Sequence, residues 1–74
     1  MPQIFITVAR ILVEVWNKIP GFWQGVIAGI TGNAIYDFIK NADWSGFANW
    51  LYQNSSLPYI EAIYKILQNL GLAP

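Results

Sequence analysis

Ile19–Tyr36 reads IPGFWQGVIAGITGNAIY and contains no charged residue. Within it, glycine recurs every fourth residue, so that in a helix these positions stack on one face. A face without side chains lets another backbone approach closely, although each interior glycine costs about 1 kcal/mol of helix stability relative to alanine. We therefore predict a helix-packing seam on this stretch, formed by Gly21, Gly25, Gly29, Gly32 and Asn33.

The composition gives the chain more apolar surface than a small globule can bury. The 74 residues are 55% hydrophobic and only 11% charged, against about 25% charged in an ordinary domain. Exposed apolar surface is covered by a membrane, by an oligomer interface or in an aggregate, and we expect a homo-oligomer. The net charge is zero, which argues against nucleic acid as a partner because phosphate binding needs basic residues.

The spacing of apolar residues and helix breakers predicts an all-α fold. We expect a small bundle of three to four short helices in a single domain, 1–74, with self-association. Pro20 separates the first two helices, Asp43 is a plausible N-cap of the third, and Pro58 opens the last. The predicted helices cover about 3–18, 20–41, 44–53 and 58–70, and the 21–33 face of the second is expected to be the main packing seam.

The first predicted helix carries one narrow polar stripe on an otherwise apolar cylinder. Its members recur at helical spacing, and they are Thr7, Arg10, Glu14, Asn17 and Lys18. The stripe has three interpretations. It is the solvated face of a bundle, or it faces other copies or a water-filled lumen within a membrane, or it points to water from a helix lying flat at a lipid interface.

Titratable residues are too few and too scattered to predict catalysis. The chain has no cysteine and no histidine. Three carboxylates have a basic partner at helical spacing, and the fourth is the expected N-cap; the pairs are Glu14 with Lys18, Asp37 with Lys40, and Glu61 with Lys65. We therefore expect no enzyme activity, no cofactor or metal site and no small-molecule substrate.

The uncharged run has nearly the length of a membrane span. Its 18 residues would form a helix of about 27 Å, close to the roughly 20 residues of a spanning helix. Aromatic residues of the kind found at lipid interfaces are Trp16, Phe22, Trp23, Tyr36, Trp44, Trp50 and Tyr59. No secretory signal is evident.

These features favour a small membrane-associated protein that self-assembles through a glycine zipper and spans or perturbs a lipid bilayer, as pore-forming or toxin-like proteins do. Its expected location is a membrane. The alternatives are an apolar accessory subunit of a larger complex and a soluble homo-oligomeric bundle with a structural role.

The segment EAIYKILQNLG (61–71) is loosely similar to the closing helix of leaderless and circular bacteriocins. The resemblance implies a compact, saposin-like cluster of helices rich in tryptophan. Those peptides are typically rich in lysine, whereas this chain has three lysines, and the resemblance assigns no role to any residue. The glycine spacing is also similar, as a pattern, to that of pinholins and of membrane-acting cell-death effectors.

Overall fold

Five α-helices and one short 3₁₀ helix make up the computed structural model, which describes Met1 to Pro74. The all-α class is confirmed, and there is no strand. The number of helices is five rather than three to four, because the second predicted helix is divided in two. The elements are α1 (Gln3–Val15), the 3₁₀ helix (Trp16–Lys18), α2 (Gly21–Thr31), α3 (Ala34–Lys40), α4 (Trp44–Asn54) and α5 (Leu57–Asn69).

Gly32 is the point at which the predicted 20–41 helix breaks. Its backbone has φ 84° and ψ 170°, a combination that essentially only glycine adopts. The Gly32 N–H still donates to the Ala28 carbonyl at 2.7 Å, so it closes the last turn of α2. The chain then turns, and α3 begins at Ala34.

The prediction of a membrane-spanning, pore-forming or toxin-like protein is wrong. No helix combines the length and the apolar character that crossing a bilayer requires. Within the uncharged run, α2 has only 11 residues, or about 16 Å. The chain instead folds into a compact helical globule with a radius of gyration of 10.7 Å, close to the roughly 11 Å expected for a domain of this length.

The helix at the centre of the fold is α1. It packs most extensively against α4 and also contacts α5 and α3. The main packing seam is therefore between α1 and α4, and not along the 21–33 face as predicted. The buried residues of α1 follow helical spacing and are Phe5, Val8, Ala9 and Leu12. The other helices contribute fully buried side chains to the same core, among them Ile35, Phe47, Leu51, Ile60, Ile63 and Leu67.

Local signals near the last two helices agree with the structure. The Asp43 carboxylate accepts a hydrogen bond from the Gly46 N–H at 2.9 Å, which confirms the predicted N-cap of α4. Gly71 adopts φ 75° immediately after Leu70, the C-cap of α5, as is usual for a glycine that follows a helix. The boundaries of α4 and α5 lie within one residue of those predicted.

Candidate functional site

The orientation of α2 is set by its inward residues. Ile27, Ala28 and Thr31 are buried, and together with Gln24 they follow the i, i+3, i+4, i+7 spacing of one helix face. The Gln24 side chain donates from Nε2 to the Trp16 carbonyl at 2.8 Å. This hydrogen bond attaches α2 to the 3₁₀ helix, and it turns the opposite side of α2 to the solvent.

The regularly spaced glycines lie on that outward side. Gly21, Gly25 and Gly29 are exposed, and a Cβ added at any of them would meet no atom within 4 Å. At Gly32 an added Cβ would meet only the Trp50 ring, at 3.9 Å. Asn33 is exposed as well. Since Gly21, Gly25 and Gly29 pack against no other helix, the structure gives no evidence for a glycine zipper, and the prediction of self-assembly through one is wrong.

An exposed aromatic ring stands on the same side of α2. Phe22 is 72% exposed and contacts its neighbour Trp23 edge to face, with ring centroids 5.1 Å apart. No residue of α2 is charged. We call this outward side the α2 face and define it by Gly21, Phe22, Gly25, Val26 and Gly29. It is apolar along its whole length, which is unusual for the solvent side of a helix.

A groove adjoins the C-terminal end of the α2 face. It has a volume of about 460 Å³ and is lined by Gly29, Ile30, Asn54, Ser55, Ser56 and Tyr59. Gly29 has no side chain to fill it, and Tyr59 is 59% exposed. In the sequence, 54–56 lie between two predicted helices and give no sign of a groove, because the groove arises where the end of α2 meets the α4–α5 turn. No local pattern signals that approach.

The polar stripe of α1 lies on the surface of the globule, away from the core. Four of its five members are exposed, and Thr7 is half-buried. The Glu14 carboxylate pairs with Arg10, with Oε1 and Nε 3.3 Å apart, and not with Lys18 as predicted. The Arg10 guanidinium also lies 5.4 Å from the centre of the Trp44 ring. The Arg10–Glu14 contact is the only ion pair in the structure.

The predicted interfacial aromatics do not form one belt. Trp16 belongs to the core, with 8% of its surface exposed, and Tyr36 packs edge-on against it. Trp50 packs near Phe47. Among the seven, Phe22 and Tyr59 are the most exposed, and one lies on the α2 face while the other lines the groove.

We compared the chain with protein-family models, with curated proteins and with solved structures, and found no match. The candidate site therefore consists of the α2 face and the groove beside it. Together they form the part of the surface where an apolar helix side, an exposed aromatic ring and an open recess adjoin.

Proposed function

We propose that this chain is a small self-association module that binds a second copy of itself through the α2 face. The observation that carries the proposal is Phe22, which is 72% exposed on a helix without a charged residue. Covering such a side chain is worth about 1.5–3 kcal/mol. Aromatic residues of this kind commonly anchor protein–protein interfaces. The role is association rather than catalysis.

The charge distribution supports contact between identical copies. The chain has a net charge of zero, so two copies do not repel each other at long range. Because no residue of α2 is charged, pairing two α2 faces places no like charges opposite each other and buries no ion.

The size of the surface predicts weak association. The α2 face is about 16 Å long and about 10 Å wide, so without the groove it offers roughly 160 Å² of projected area. A stable interface buries about 800 Å² on each partner, nearly a fifth of the 4334 Å² of surface of this chain. The pair is therefore expected to be transient and to form at high protein concentration.

Sedimentation velocity across a concentration series tests this proposal. Between about 10 μM and 1 mM, the range for weak complexes, the average mass of the wild-type chain should rise from 8.4 kDa toward twice that value. Phe22→Asp should keep the chain monomeric, because a charge buried between the two copies would lose its water. Asn49→Asp is the matched control, since it adds the same charge at an exposed position of α4.

A lipid surface is the competing occupant of the α2 face. Flotation with neutral and anionic vesicles distinguishes it from a second copy. A wild-type chain that stays monomeric at the highest concentration contradicts the proposal. If that monomer also binds vesicles and Phe22→Asp abolishes the binding, the α2 face serves a lipid surface instead.

A further inference from the structure

We infer that the two copies pair with antiparallel α2 helices, so that Phe22 of each copy enters the groove of the other. The inference rests on the proposed function and specifies its geometry. Its basis is that the α2 face carries both a protruding ring, near its N-terminal end, and an open recess, near its C-terminal end.

The spacing of ring and recess suits a twofold axis through the middle of α2. Phe22 and Gly29 are seven residues apart, which is about two helical turns, or about 10 Å, along the same face. When two such helices cross antiparallel with the axis between Gly25 and Val26, Phe22 of each copy lies opposite Gly29 of the other. Both copies then make the same contact, as a twofold interface requires.

The groove is open and offers two hydrophobic side chains that a phenyl ring could contact. Nothing lies within 4 Å of a Cβ position at Gly29, and the hydrophobic lining residues are Ile30 and Tyr59, beside the polar residues 54–56. Tyr59 is largely exposed and offers an aromatic surface for edge-to-face contact. A parallel pair would instead place Phe22 against Phe22 and leave both recesses empty.

Cysteine cross-linking at positions 22 and 29 tests the orientation, because the chain has no cysteine of its own. In the antiparallel pair, the thiol of a Phe22→Cys chain faces the thiol of a Gly29→Cys chain. The mixed pair also keeps one intact Phe22–groove contact. Two residues at position 29 would be about 10 Å apart along the helices, beyond the roughly 7 Å between Cα atoms that a disulfide can join.

The expected result is that the two variants cross-link to each other on mixing, and that Gly29→Cys alone does not. Mass spectrometry distinguishes the products, and circular dichroism of each variant checks that it folds. Self-linking of Gly29→Cys without the mixed product would show a parallel pair, which overturns this inference and leaves the proposed function standing. A wild-type chain that remains monomeric in sedimentation overturns both.

A double-mutant cycle tests the contact itself. Phe22→Ala removes the ring, and Gly29→Leu fills the recess, so each should weaken association about tenfold or more. Because both substitutions remove the same contact, the double variant should associate no more weakly than either single variant. Independent effects that multiply would contradict the contact between Phe22 and the groove.

Discussion

Replacing Gly32 by alanine tests the helix break that divides the uncharged run. The backbone at Gly32 has φ 84° and ψ 170°, which a residue with a Cβ adopts only under strain. Space is not the limitation, because the nearest atom to an added Cβ is in the Trp50 ring at 3.9 Å. The effect of Gly32→Ala should therefore report backbone strain.

The expected loss is about 2 kcal/mol, the middle of the range of roughly 1–3 kcal/mol for a residue held in a sparsely populated backbone region. In a domain of this length, 1 kcal/mol shifts the melting temperature by about 4–8 °C. Gly32→Ala should thus melt about 8–16 °C below the wild-type chain. Small domains have total stabilities toward the lower end of about 5–15 kcal/mol, so the loss is easily measured.

Gly25→Ala is the matched control. Gly25 lies inside α2, and a Cβ there would meet nothing within 4 Å. Alanine is the better helix former, so this variant should gain about 0.5–1 kcal/mol. Thermal and urea unfolding followed by circular dichroism, at a dilution where the chain is monomeric, measures both variants under the same conditions.

The two substitutions must shift stability in opposite directions if the break is real. In a continuous helix over 20–41, alanine at position 32 would stabilise the chain as it does at position 25. A Gly32→Ala variant that melts above the wild-type chain, with an unchanged urea slope, would refute the division into α2 and α3.

Three further changes test the turns and the core by urea unfolding. Asp43→Ala should lower the free energy of unfolding by about 1 kcal/mol, because it removes the α4 cap. Gly46→Ala should lower it by a similar amount, because its Cβ would overlap the Asp43 carboxylate. Additive losses in the double variant would contradict a shared cause. Ala42→Gly should gain about 1 kcal/mol, because Ala42 has φ 51° in a region costly for residues with a Cβ; a loss would contradict that strain. Leu12→Ala, at a fully buried site of α1, should cost about 2–5 kcal/mol, and a loss below 1 kcal/mol would argue against α1 as the central helix.

Helix boundaries could be predicted where a single residue caps a helix. Asp43 acts on a backbone N–H three residues away, so its effect is visible in a short window. Gly32 also acts locally, but it lies within a regular series of glycines, and that series favoured one long helix. The decisive variable was the backbone angle of a single residue, which the spacing of apolar residues does not encode.

The environment of α1 could not be predicted from its pattern. A helix that is apolar around most of its circumference is buried either in a protein core or in lipid, and the residues themselves are the same in both cases. Here α4, α5 and α3 pack against the apolar surface of α1. The side of α2 that faces the core could not be predicted for a related reason. Gln24 faces inward because the Trp16 carbonyl, eight residues away in the chain, accepts its hydrogen bond.

The outward glycines of α2 carry a cost that the fold itself does not explain. Gly25 and Gly29 lie in the helix interior, where glycine is about 1 kcal/mol less favourable than alanine, yet a Cβ at either would touch no atom of the chain within 4 Å. Packing within one copy therefore gives no reason for their small size. In the proposed antiparallel pair, Gly29 would lie beneath the partner's Phe22, so that a small residue there would leave the recess open. Gly29→Ala should then stabilise the single chain, because alanine is the better helix former, and should weaken the pair, because its Cβ would fill part of the recess.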